Sequence, residues 1–234
     1  IREANYFIET VVPRFEKGEI EGSEVNIKHY IGEMYFLRAK NYLSKLETFG
    51  DFPLIKNTLP DENEPLTQAS KREPRHKAAR FILEDLDQTI GLLTNNISGG
   101  KNRITKNAAL LLKSRAALFE ASWLTYHRGT ALVPGGSGWP GKAEDIADFN
   151  IDTEIAFFLK EAKEAGKEVI GNAALMQNTA KDCMDETVKT DEDKYKMSNP
   201  YFAQFSANSL EGYSEILLWR AYNLLDYKIV HSAP

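Results

Sequence analysis

The sequence predicts an all-α fold of antiparallel helical hairpins joined by loops of unequal length. Apolar residues recur at helical spacing in five separate stretches. Between those stretches lie clusters of Gly, Pro, Asn and Asp, the residues that break regular structure. Termination signals fall at the stretch ends, as where Gly50 is followed by Pro53.

Taken in order, Ile1, Ala4, Ile8 and Val11 share a helix face over residues 1–12, and Pro13 ends the pattern. Gly18 and Gly22 mark a connection. A long helix runs from about Ser23 to Phe49. Its ridges are Met34, Arg38, Tyr42, Leu46 and Tyr35, Ala39, Tyr42, Leu46, Phe49, wide enough to pack on more than one neighbour. Residues 50–73 read as a long loop. The next helix spans about 74–94, with Pro74 in its first turn and Phe81, Ile82, Leu86, Ile90 and Leu93 on one face. Thr105 is the N-cap candidate of a helix through Tyr126, whose buried ridge reads Ala108, Leu112, Ala116, Phe119 and Trp123. Val133 to Gly141 is a Gly/Pro loop. A fifth helix starts near Asp152, carries Ile155, Phe158, Leu159, Ala162 and Val169, and ends before Gly171. Residues 172–199 are polar without periodicity. Within Pro200 to Asn223, the run Ile216-Leu217-Leu218-Trp219 fits a short strand or a helix turn equally. Stacked hairpins of this kind are tetratricopeptide-like, but irregular, because no 34-residue period repeats.

Composition narrows the function classes. A formal charge of −5 and a pI near 5.5 argue against a general nucleic-acid binder. The clusters Lys71-Arg72 and Arg75-His76-Lys77 read as solvated helix faces. A lone cysteine, Cys183, excludes an internal disulfide and a Cys-based zinc site. No apolar run approaches the roughly 18 residues of a membrane span. The chain opens on Ile1-Arg2-Glu3-Ala4 and stops at His231-Ser232-Ala233-Pro234, so both ends read as cuts through a longer protein.

Catalytic patterns fail on inspection. Gly136 to Lys142 satisfies G-x-x-x-x-G-K, but Pro140 removes a donor, Ala143 replaces the Mg²⁺-binding hydroxyl, and the loop follows a helix. His29, His76, His127 and His231 have no metal-ligand spacing, and no nucleophile elbow is present. Asp191-Glu192-Asp193 lacks EF-hand spacing. Glu161, Glu164 and Glu168 fall on the polar face of a helix. No metal, cofactor or reaction is expected.

Two sets of residues stand out. Arg38 and Arg115 interrupt apolar ridges, so each needs a buried carboxylate, with Asp85 or Asp87 as candidates. Trp139 sits in a Gly-rich loop, where an indole either docks on the core or meets a ligand. Trp123, Tyr126 and His127, at the neighbouring helix end, are placed to frame the same site, although the position of Trp123 on the buried ridge favours the core for that residue. Sugar rings present flat C–H faces that pack on such rings, while polar side chains bind their hydroxyls.

Several segments resemble one family. Ile31-Gly32-Glu33-Met34-Tyr35-Phe36-Leu37-Arg38-Ala39, then Tyr42, then Phe49-Gly50-Asp51-Phe52-Pro53-Leu54, resembles the E-x-x-F-L-R-A … F-G-D-x-P-L signature of SusD/RagB proteins. Ile82-Leu83-Glu84-Asp85-Leu86 resembles that family's I-x-x-D-L helix. Arg103-Ile104-Thr105-Lys106-Asn107-Ala108-Ala109, continuing to Arg115 and Leu118, is similar to its G-R-x-T-K-x-A-A helix. Ile1-Arg2-Glu3-Ala4-Asn5 and Glu215-Ile216-Leu217-Leu218 resemble its I-R-x-A-N helix and E-I-I-F strand. The match touches most of the chain outside residues 130–200.

The resemblance implies one SusD-like helical domain over 1–234, a fragment of a longer protein. It implies a non-catalytic lipoprotein on the surface of the outer membrane of Bacteroidetes. Such a protein binds oligosaccharides or peptides and passes them to a TonB-dependent, SusC-like transporter. The lipid anchor would lie outside this fragment, and Cys183 is not the lipidated residue. The rival readings are a tetratricopeptide-like protein–protein adaptor and a helical carbohydrate-active enzyme.

Overall fold

A computed structural model describes residues 1–177, 204–205, 207 and 209–221. Cys183, His231, Asp191-Glu192-Asp193, Pro200, Asn208, Tyr222, Asn223 and the polar stretch beyond residue 177 lie outside the described residues. Six α-helices make up the described fold: α1 (Arg2–Glu16), α2 (Glu24–Phe49), α3 (Asn63–Ala69), α4 (Arg75–Leu92), α5 (Lys106–Tyr126) and α6 (Ile151–Asn172). Short 3₁₀ turns follow at Gly100–Asn102 and Ala143–Ile146. Packing runs along the chain, α1 on α2, α2 on α4, α4 on α5 and α5 on α6, as stacked hairpins should.

The ends of these helices have identifiable causes. Thr105 caps α5, its hydroxyl accepting from the Ala108 N–H at 3.3 Å. Asn150, and not Asp152, caps α6: its side-chain oxygen accepts from the N–H groups of Asp152 and Thr153. Helix α6 also continues through Gly171 to Asn172. Gly50 stops α2 at φ +69°, a conformation side chains other than glycine's resist, and its N–H closes on Leu46 O. Pro13 does not end α1, which carries on to Glu16. The proline forfeits one hydrogen bond, yet its carbonyl still accepts from the Lys17 N–H. The loop over 50–73 contains α3, with Pro65 in its first turn, where the missing N–H costs nothing.

The run Ile216-Leu217-Leu218-Trp219 is neither strand nor helix turn. Its Trp219 N–H donates to Lys101 O, Leu217 O accepts from the Thr105 hydroxyl, and the Ala221 N–H donates to Asn102 Oδ1. A 3₁₀ turn and a helix cap offer no repeating ladder, so the segment stays extended and irregular.

The core is apolar, with Tyr42, Ile82, Leu86, Leu124 and Phe158 among its buried residues. Phe81 meets Tyr42 edge-on, and Phe52 stacks on the Tyr42 ring. Ion pairs cross its helix interfaces. Arg38 of α2 forks onto Asp85 of α4 at 2.8 and 2.7 Å, and its third nitrogen donates to Asn5 of α1. Arg80 of α4 forks onto Glu154 of α6.

Arg115 is exposed and does not face the core. The buried cation of α5 is Lys113, two positions earlier, paired with Asp87 of α4 and Glu161 of α6. Two residues along a helix turn the side chain by about 200°, so the ridge passes Lys113 and leaves Arg115 in the groove towards α2. Glu161 is accordingly held in an ion pair and is not a free polar-face carboxylate. Burial acts to lower the Lys113 pKa, but the hydrogen bonds that its ammonium donates to Asp87 and Glu161 outweigh it and raise it above the ordinary lysine value.

Candidate functional site

The elements that end near Gly50 and begin near Arg75 meet the loop after α5. Together they shape a cleft of about 260 Å³ lined by Phe49, Asp51, Arg72, Arg75, Trp123, Leu132 and Trp139, with Glu47 on its α2 side. Asp51 and Trp139, 88 positions apart, thus converge.

Asp51 organises the cleft. One carboxylate oxygen accepts from the Arg75 N–H at 2.8 Å, capping the first turn of α4. The other accepts from the Trp139 indole N–H at 2.7 Å. Trp139 is half-buried, neither fully docked nor free at a loop tip. Its ring lies over Gly141, where an added Cβ would come within 2.2 Å of the indole, so only glycine admits this close approach. A single antiparallel bridge, Glu73 N–H to Phe52 O, ties the segment after Asp51 to the entry of α4.

Behind the cleft floor lies Arg75, which is buried, as is its neighbour His76. The cluster Arg75-His76-Lys77 is therefore not a solvated face. Arg75 forks onto Glu120 of α5 at 3.0 and 2.8 Å, and its guanidinium lies 4.3 Å from the centroid of the Trp123 ring. Burial pushes the Glu120 carboxyl above the usual carboxylate range, and the Arg75 guanidinium pulls it back. Burial among α4 and the Phe149 ring lowers His76 to about 4.

The sequence-level candidates divide. Trp123 and Trp139 do line one cleft. Trp123 is half-buried, and its indole N–H donates to Leu132 O at 3.1 Å, holding the loop. His127 is packed behind it, ring centroids 4.3 Å apart, one helical turn on. Tyr126 does not join the cleft: it is 85% exposed. Three helical positions from Trp123 place it about 60° off that face. Asp51, Arg75 and Glu120 were not legible as site residues. The available signal for Glu120 was its place four residues after Ala116 on an apolar ridge, where an unpaired charge would not be tolerated.

Both indole N–H groups are satisfied by protein acceptors, so the cleft offers ring faces and not indole donors. Polar contacts fall to Arg72, whose exposed side chain makes no hydrogen bond or ion pair among the described residues, and to Glu47. This combination suits a ligand with flat apolar faces edged by hydroxyls. No group of His, Cys, Asp and Glu among the described residues is arranged to hold a metal ion. No described helix is long and apolar enough to cross a membrane.

No family model matches the chain, and no curated protein does. Solved structures do. A SusD superfamily protein from Bacteroides fragilis is 19% identical with a TM-score of 0.50, covering 76% of this chain and 30% of its own. A laminarin binding SusD-like protein is 17% identical with a TM-score of 0.49, over 82% of this chain and 33% of its own. A SusD-like protein from Bacteroides fragilis is 23% identical with a TM-score of 0.48, over 76% of this chain and 27% of its own. The chain thus spans about a third or less of these proteins. Over the 76% of this chain that is matched, the fold is that of the SusD superfamily protein.

Proposed function

We propose that this chain is part of a protein that captures oligosaccharides and does not cleave them, holding the sugar in the cleft between Trp123 and Trp139. The observation that carries the proposal is the pairing of two half-buried indoles in one cleft, their N–H groups already satisfied, beside Arg72, which pairs with none of the described residues. Ring faces would pack on the C–H faces of a sugar, and Arg72 and Glu47 would bind its hydroxyls. The SusD-like helical fold supports the same function. By the sequence resemblance, the bound glycan would pass to a TonB-dependent transporter, from a position on the outer membrane held by a lipid anchor beyond these residues.

The test is a panel of oligosaccharides incubated with the full-length protein, with affinity and product formation followed together. Saturable binding with the oligosaccharide recovered intact is the expected result. Release of shorter sugars would support the enzyme instead. Binding to a protein partner alone, with no sugar retained, would support the adaptor.

A further inference from the structure

We infer that Asp51 is a positioning residue for sugar binding: it sets the orientation of the Trp139 ring without touching the ligand through a free oxygen. This deepens the capture function and rests on it. Asp51 spends one oxygen on each of two donors, the Arg75 N–H and the Trp139 indole N–H, at 2.8 and 2.7 Å. A charge-assisted hydrogen bond of that length is among the stronger ones a carboxylate makes. The far edge of the same indole is set over Gly141. The ring is thus fixed at its N–H end by Asp51 and at its opposite edge by bare backbone.

The anchor itself is rigid. Asp51 follows Gly50, whose left-handed conformation ends α2, and precedes Phe52, buried and stacked on Tyr42. Asp51 therefore connects the end of α2 and the start of α4 to the loop that carries Trp139. A platform held this way loses little freedom when a sugar lies on it, which is where preorganisation raises affinity.

An Asp51→Asn side chain keeps the shape but offers one carbonyl oxygen to two donors and turns an NH₂ towards the other. Trp139→Phe keeps an aromatic face, though a smaller one, and the α4 cap but deletes the indole donor. The experiment is a titration of the full-length protein with the best-bound oligosaccharide of the panel, for both single variants, the double variant and Trp139→Ala. The indole N–H resonances are recorded in parallel. Each single variant should weaken binding by about tenfold, the double variant by no more than either alone, and the Trp139 indole resonance should move in Asp51→Asn while that of Trp123 stays. Wild-type affinity in Trp139→Phe, or additive losses in the double variant, would overturn the positioning role while leaving sugar capture standing. Unchanged binding in Trp139→Ala would instead remove Trp139 from the capture site, and the role of Asp51 with it.

Discussion

Arg75 and Glu120 are 45 positions apart in the chain, and each is almost wholly buried. Such a pair adds little net stability compared with apolar residues of the same volume, but removing one partner strands the other in a dry interior. Glu120→Ala should therefore cost roughly 3–5 kcal/mol in denaturant unfolding, and a loss below about 1 kcal/mol would contradict the burial of Arg75. His76 gives a pH dependence of defined sign. Its folded pKa of about 4 lies below the roughly 6.5 of an unfolded histidine, so the unfolded chain binds more protons between those values. Stability is thus complete above about pH 6.5 and falls as the pH drops towards about 4, by roughly 3 kcal/mol. Burial lowers His29 too, which adds to the same trend. Urea unfolding at several pH values should show a shallower slope in His76→Phe than in the parent protein. Sequence alone exposed Arg38 and Asp85, because a charge on an apolar ridge demands a partner. It misplaced Arg115, because ridges on a broad, small-residue helix such as α5 are poorly separated, and the paired cation there is Lys113.

Among the elements, helices with a strong apolar period were legible to within a few residues, and their caps are testable. Thr105→Ala and Asn150→Ala should each cost about 1 kcal/mol, read as a fall in thermal unfolding temperature. The short helix α3 was hidden because Pro65 also signals a loop. The extended run at 216–219 was ambiguous because its hydrogen-bond partners, Lys101, Asn102 and Thr105, come from a turn and a cap that no local pattern reveals. The loop carrying Trp139 depends on a close approach. Gly141→Ala should displace the indole and change the near-ultraviolet circular dichroism, with the helical far-ultraviolet signal kept. An unchanged near-ultraviolet spectrum would contradict the packing of the ring on residue 141.

For the whole molecule, ion pairs bridge α2 to α4, α4 to α5 and α6, and α5 to α6, which holds the helical stack in register around an apolar core. That stack brings residues 46–51, 72, 75, 123, 131–132 and 139–140 to one cleft. The loop tryptophan and its helix neighbour were visible as candidates, since exposed indole is rare without a purpose. Asp51 and Arg75 were not, since their roles exist only once α2, α4 and the loop meet. The most direct test of sugar capture at this cleft is a calorimetric titration of an oligosaccharide into the full-length protein and into Trp139→Ala. Binding by the parent with at least a tenfold loss in the variant is the predicted result, and equal affinity in the two would contradict it.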